Sequence, residues 1–130
     1  MTSANAPKDA KKLFEKGQDL NKKSKFPEAE ASLLKAVELY PKYAVAWYEL
    51  GLAYQQQKKK DEAAKAFEQA IEADAKFVKP HLDLLQMAVG QRDWNLIASR
   101  SDTVLKLNPF NYPMVWFVNA AAHYNLKNEE

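Results

Sequence analysis

The two histidines are the side chains of this sequence best suited to acid–base or metal chemistry. His81 and His123 lie far apart in the chain, and neither has neighbours at a ligand-like spacing. The chain has no Cys, which excludes thiolate metal sites, thiol nucleophiles and disulfides. With 3 Gly it has no Gly-rich phosphate loop, and it carries no nucleophile motif and no carboxylate pair in a recognisable catalytic setting. We therefore expect no enzyme activity, no cofactor and no metal site.

Charge is nearly balanced along the sequence. The 19 basic and 17 acidic residues are interleaved and leave a net charge of +2, so no strong field of one sign is predicted. This balance argues against nucleic acid as a partner. Lysines cluster at two places, Lys22, Lys23, Lys25 and Lys58, Lys59, Lys60. We interpret both clusters as solvated turns, and binding of an anionic surface is the less favoured alternative.

Membrane insertion is not predicted, because no apolar run approaches the ~20 residues that span a bilayer. The segment from Met1 to Pro7 is small and polar and lacks the apolar core of a signal peptide. We expect a soluble protein, and the sequence does not indicate its compartment. The last four residues read like the start of another loop, a pattern compatible with a piece excised from a longer protein.

Apolar residues recur three or four positions apart along most of the chain, which is the period of amphipathic helices. Prolines and polar turns interrupt this period, and good helix formers dominate the composition. Asp61 and Asp93 are expected to cap helices, and Gly90 to end one. Seven helices are predicted: 10–22, 27–40, 44–57, 61–74, 78–90, 93–107 and 113–126.

The sequence repeats itself with a period of 34 residues. A shift by this distance places Gly17 on Gly51, Ala29 on Ala63 and Glu15 on Glu49, together with six further identical pairs. Unrelated amphipathic helices would not align small residues in this way. A fixed period of this length indicates stacked pairs of helices.

The second repeat resembles the tetratricopeptide repeat family. Trp47, Leu50-Gly51 and Tyr54, followed by Ala63, Phe67 and Ala70, match the family pattern of Trp, Leu-Gly, Tyr, Ala, Phe and Ala. The resemblance implies an all-α fold, a right-handed superhelical solenoid of antiparallel helix pairs. It divides the chain into a flexible lead-in, 1–8, and a single domain, 9–130, with repeats at about 10–43, 44–77 and 78–111 and a partial fourth repeat or capping helix at 112–130.

The third and fourth repeats depart from the family pattern. His81, Leu85 and Ser101 stand where the family has Trp, Gly and Phe. One inserted residue brings Trp116, Ala120 and His123 into line as a fourth first helix, and both histidines are expected to replace core aromatics. Gly17 facing Ala29, and Gly51 facing Ala63, should let paired helices approach closely. Leu85 opposite Ile97 predicts a wider or shifted third pair, with Trp94 filling space near its turn.

The resemblance further implies that the first helix of each pair lines a concave groove. An apolar column would be formed there by Phe14, Tyr48, Leu82 and Phe117, and an acidic column by Glu15, Glu49 and Asp83. The same face would carry Gln18, Leu52, Gln55, Lys79 and Gln86. Such a surface suits a peptide with apolar and basic residues. The alternative is that the aromatics pack between repeats and the acids only keep the face soluble.

Two functions follow from these expectations. The first is a protein-interaction scaffold that binds a peptide or partner domain in the groove. The second is a structural or oligomerisation module that stacks through the terminal helix, 113–126, in a larger protein or a homo-oligomer. Some family members clamp a C-terminal carboxylate with Lys and Asn, and this chain places Phe14, Glu49 and Asp83 at those positions. That mode is therefore disfavoured.

Overall fold

The computed structural model describes residues 6–129, and the regular secondary structure there is entirely helical. Residues 1–5 of the predicted lead-in lie outside the described residues. Each helix lies close to its predicted bounds, and the predicted all-α repeat fold is confirmed. The helices are α1 (Lys8–Lys22), α2 (Phe26–Leu39), α3 (Ala44–Gln56), α4 (Lys60–Ala73), α5 (Val78–Gln91), α6 (Trp94–Leu107) and α7 (Pro113–Glu129).

The chain divides into two compact units, and each contains its own apolar core. The first unit, Met1–Phe77, holds α1 to α4, and the second unit, Val78–Glu130, holds α5 to α7. Leu33 and Leu50 are buried in the core of the first unit, where Ala6 joins them just before α1. Ile97 and Val115 are buried in the core of the second unit.

The turn inside each helix pair contains a residue in the left-handed region. Ser24, Lys58 and Arg92 have φ of 61°, 63° and 55°, and they stand 34 residues apart. The residue after each of them donates its backbone N–H to a carbonyl five residues back, for example Lys59 to Tyr54 at 2.9 Å. This is the bond pattern of a Schellman turn, which satisfies carbonyls at the helix end.

The predicted helix signals had mixed outcomes. Asp93 caps α6, since its carboxylate accepts from the Leu96 N–H at 3.2 Å. The expected cap at Asp61 was wrong, because α4 begins at Lys60 and its N-cap position is Lys59. The prediction that Gly90 ends its helix was also wrong, because α5 continues to Gln91. Arg92 takes the left-handed conformation of the turn.

Close approach in the first two helix pairs depends on glycine. A Cβ built on Gly17 would lie 2.4 Å from Leu33 Cγ, and one on Gly51 would lie 2.5 Å from Phe67 Cε1. The nearest facing side chains are therefore Leu33 and Phe67, one turn beyond the expected Ala29 and Ala63. Leu33 and Phe67 are fully buried and fill the space that the glycines leave.

The third pair reverses this arrangement. Leu85 takes the glycine position, and Ser101 takes the position of Leu33 and Phe67. Both are buried, and the Ser101 hydroxyl donates to the Ile97 carbonyl at 2.6 Å. A wider or shifted crossing of α5 and α6 stays a prediction from these side chains. Trp94 packs on this core from the start of α6.

Two tryptophans anchor the starts of α3 and α7 in the same way. Trp47 Nε1 donates to the Pro41 carbonyl at 2.7 Å, and Trp116 Nε1 donates to the Pro109 carbonyl at 2.8 Å. The two tryptophans are six and seven residues beyond their prolines, which locates the single inserted residue. His81, at the equivalent position of α5, is buried as expected. His123 was wrongly assigned to the core, because its side chain is 53% exposed beside Asp102.

Candidate functional site

The apolar positions predicted for the first unit are only half accessible. The Phe14 ring packs on Tyr43, with 5.2 Å between centroids. The Tyr48 ring packs on Phe67 at 5.6 Å and edge-on to Phe77 at 5.4 Å. Phe14 and Tyr48 are therefore structural as well as exposed, and each leaves part of its ring open to a ligand.

The acidic positions of the first unit differ in their surroundings. Glu15 is exposed, whereas Glu49 is half-buried between α1 and α3. Asn21 Nδ2 donates to both the Glu49 carbonyl and its Oε1 at 3.0 Å, and Gln18 Nε2 donates to Oε2 at 3.4 Å. The donors are neutral amides, so they hold the Glu49 carboxylate in position without adding a counter-charge.

Tyr43 is buried beneath this surface, and the pKa of its hydroxyl responds to the charge nearby. Burial raises the pKa of the Tyr43 hydroxyl, and the nearby Glu15 carboxylate raises that pKa further. Both causes disfavour the phenolate, so Tyr43 is a neutral ring in the core. Leu52 and Gln55, also predicted for this face, are half-buried on α3.

The predicted residues of the second unit are more open. Lys79 and Gln86 are exposed, Leu82 and Asp83 are half-buried, and Phe117 is 68% exposed on α7. Leu82 packs on the core of this unit with its outer edge facing a pocket. The structure thus places Leu82 and Gln86 in one site, and it places Phe117 outside the lining of that site.

The pocket lies between α5 and the first half of α7, and we call it the α5–α7 pocket. It has a volume of about 570 Å³, and none of its lining residues is charged. The sequence pattern identified only Leu82 and Gln86 of this lining, because the other residues read as ordinary apolar or turn positions. Its walls include Leu82, Gln86, Val89, Tyr112, Met114 and Val118.

The lysine turns are partly neutralised within the first unit. Lys59 Nζ lies 3.1 Å from Glu30 Oε1 and 5.8 Å from the centre of the Tyr54 ring. Lys23 pairs with Asp19 at 2.9 Å. These pairs agree with the interpretation of the lysines as solvated turns.

Residues 6–129 contain neither a metal-binding cluster nor a membrane-spanning helix. This part of the chain has no group of three or more His, Asp or Glu side chains that could hold a metal ion. Nor does any helix in it have the length and apolar character needed to cross a membrane.

Helix pairs with a 34-residue period, closed by equivalent turns at Ser24, Lys58 and Arg92, define a helical repeat protein. Residues 14–76 match the family model described as tetratricopeptide repeat. The resemblance to the tetratricopeptide repeat family stated from the sequence is confirmed over these residues.

Solved structures share this fold at low sequence identity. The first tetratricopeptide domain of Spaghetti (RPAP3), bound to the HSP90 peptide SRMEEVD, is 21% identical with a TM-score of 0.78, over 92% of this chain and 94% of that one. The TPR2B domain of yeast Sti1, in a complex with pHsp70, is 16% identical with a TM-score of 0.79, over 92% and 99%. The Sgt2 domain from Aspergillus fumigatus is 14% identical with a TM-score of 0.76, over 99% and 86%. No curated protein matches the sequence.

Proposed function

We propose that the protein is an interaction scaffold that binds a peptide or partner segment along the first helices of its repeats. These are α1 and α3 in the first unit and α5 and α7 in the second, and they carry the predicted groove residues. The observation that carries the proposal is the shared fold with domains whose structures hold peptides, such as RPAP3 with an HSP90 peptide. A solenoid does not by itself specify its ligand, so the ligand must be argued from side chains.

Those side chains favour a different ligand from the acidic SRMEEVD peptide of the RPAP3 complex. Glu15 is exposed, and Glu49 is fixed by neutral amides, so the first unit presents negative charge where the peptide would lie. Partly open Phe14 and Tyr48 rings add apolar surface beside these acids. Charge complementarity therefore favours a ligand with apolar and basic residues.

The test is capture of partners by the intact chain, followed by their identification. We expect Glu15→Lys with Gln18→Lys to abolish capture, because this variant reverses one charge and neutralises Glu49. Glu38→Lys with Gln69→Lys is the matched control, since it makes the same charge change at exposed positions of α2 and α4. Tyr48→Ala is a poorer variant, because it also removes packing against Phe67 and Phe77.

Two results would contradict the proposal. One is partner capture by the Glu15→Lys with Gln18→Lys variant at the same level as by the control variant. The other is saturable binding of a fluorescent SRMEEVD peptide that strengthens when the acids are removed, which would make the ligand an acidic tail. Circular dichroism of both variants establishes that the helical fold is intact.

Exposed apolar side chains on α7 support a second candidate, self-association through this helix. Met114, Phe117 and Tyr124 are 69%, 68% and 67% exposed, whereas Phe14 and Tyr48, at positions equivalent to Phe117, are half-buried. Light scattering should then show a concentration-dependent dimer that disappears in Phe117→Ser with Tyr124→Ser. A monomer at every concentration would exclude this candidate. Deleting 113–130 is less informative, because Val115 and Ala122 belong to the core.

A further inference from the structure

The α5–α7 pocket has a counterpart of different chemistry in the first unit. A shift of two repeats, with one residue inserted before α7, relates α1 and α3 to α5 and α7. Asn21 then corresponds to Val89, and Glu49 corresponds to Val118. In the first unit these positions are joined by hydrogen bonds of 3.0 Å from Asn21 to Glu49. In the second unit both are valines, and both line the pocket.

The aromatic contact next to this bridge is also altered. Phe14 packs on Tyr43 in the first unit, and the corresponding pair in the second unit is Leu82 with Tyr112. Leucine lacks the ring that reaches across, and Leu82 and Tyr112 instead form part of the pocket wall. A polar, bridged seam in one unit has therefore become an open apolar pocket in the other.

We propose that the α5–α7 pocket binds one large, uncharged apolar side chain of a partner peptide. The inference rests on the proposed scaffold function and names the anchor residue of its ligand. A volume of about 570 Å³ exceeds what one side chain needs, and leaves room for the adjoining backbone. Pockets of this size with apolar walls and few polar groups are typical of ligand sites.

The charges and amides around the pocket favour this occupant over others. A charged side chain would lose hydration without meeting a counter-charge, because no lining residue is charged. Gln86 and Asn111 are the amides of the lining, and each provides both a donor and an acceptor. A peptide backbone requires both, whereas a hydrocarbon or lipid chain requires neither. An apolar side chain carried by a peptide therefore matches the lining best.

The experiment is titration of the full chain with blocked amino acids, followed by ¹H–¹⁵N NMR. N-acetyl-leucine methylamide is the probe, and N-acetyl-lysine methylamide is the charged comparison. We expect the leucine probe to shift the side-chain amides of Gln86 and Asn111 and the backbone amides of Val89 and Val118. The lysine probe should bind at least about tenfold more weakly at these positions.

A pair of variants separates the pocket from the rest of the surface. Val89→Asn with Val118→Glu introduces the residues that bridge the first unit, and should abolish the leucine-probe shifts. Leu96→Asn with Ala120→Glu introduces the same residue types outside the pocket lining and should leave these shifts unchanged. Since Val89 is 40% exposed and Val118 is half-buried, the single Val89→Asn variant gives a second, milder test.

The inference is overturned if the leucine and lysine probes bind alike, or if the shifts persist in both pocket variants. These outcomes differ from a failure of the scaffold proposal. Leucine-probe binding with no captured partner would leave the pocket established and the scaffold function rejected. Capture that depends on Glu15 and Gln18 but is unaffected by Val89→Asn with Val118→Glu would leave the scaffold established and the anchor role rejected.

Discussion

Leu85 and Ser101 reverse the size relationship that Gly51 and Phe67 show in the preceding helix pair. Gly51 leaves space that the Phe67 ring fills, whereas Leu85 supplies bulk against a small Ser101. The Ser101 hydroxyl remains satisfied, because it donates to Ile97 and accepts from Asn119 Nδ2 at 2.8 Å. Volume is thus retained across the helix pair, with the larger side chain on the first helix instead of the second.

Gly51→Ala should destabilise the protein by about 1–3 kcal/mol, because the new methyl group would overlap a buried ring. The added Cβ would lie 2.5 Å from Phe67 Cε1, and Phe67 is fully buried, so the ring has little freedom to move. Urea unfolding followed by circular dichroism measures the free energy of unfolding.

Gly90→Ala is the matched control for this substitution. Gly90 has nothing within 4 Å of a built Cβ and lies in α5, so alanine should stabilise the protein by about 0.5–1 kcal/mol. Opposite signs at the two glycines are the expected result. Equal effects would show that helix propensity, and not close approach to Phe67, determines the cost at Gly51.

The helices and their pairing could be predicted because both depend on local signals. The apolar period specifies each helix, and the 34-residue offset of Gly17 and Gly51 specifies the pair. The turn conformations could not be predicted in this way. The left-handed positions are occupied by Ser24, Lys58 and Arg92, none of which is the glycine that usually marks such a turn. Gly90 lies two residues before its turn and gave a misleading signal.

Lys58→Gly should stabilise the protein by about 0.5–1 kcal/mol, because Lys58 has a φ of 63° that glycine adopts without steric cost. The same change at Lys65, exposed in the interior of α4, should cost about 1 kcal/mol. Thermal unfolding of both variants measures the two effects. A loss of stability in Lys58→Gly would mean that the lysine makes compensating contacts that outweigh the strain at its turn.

The candidate site was less predictable than the fold, since it depends on how pairs of side chains meet. The sequence placed Glu49 in an acidic column, yet Asn21, which holds it, did not belong to the predicted set. The α5–α7 pocket results from replacing that bridged pair by Val89 and Val118, and valines at these positions read as ordinary apolar residues. Only the contacts of the folded chain distinguish an open apolar position from a filled one.

Asp102 should give the second unit an acid-sensitive contribution to stability. The Asn119 amide donates to Asp102 Oδ1 at 2.7 Å and lowers the pKa of this carboxyl below its ordinary value of 3.8. Burial opposes this shift, and the hydrogen bond from His123 adds to it. Because the folded-state pKa is depressed, the contribution is present above pH 3.8 and is lost as the pH falls through the lowered pKa. The thermal midpoint of Asn119→Ala, measured from about pH 6 to about pH 2, should therefore differ most from that of the unaltered chain above pH 4. A constant difference across this range would show that the Asn119 effect does not depend on the Asp102 charge.

Asn21→Val with Glu49→Val should confer apolar ligand binding on the first unit, because it gives the α1–α3 seam the residues of the α5–α7 pocket. Asn21 Oδ1 is buried and makes no hydrogen bond within the described part of the chain. Removing Asn21 and Glu49 together leaves neither half of their bridge behind, and the Gln18 amide loses its 3.4 Å bond to Glu49. We expect the stability to change little and N-acetyl-leucine methylamide to shift the backbone amides of Gln18 and Val45 in ¹H–¹⁵N spectra. The Asn21→Val variant alone keeps the Glu49 carboxylate in the seam. It should therefore lose stability, and it should not bind the leucine probe. Absence of binding in the double variant would assign the difference between the units to Phe14, whose ring still reaches Tyr43 there, instead of to the lost bridge.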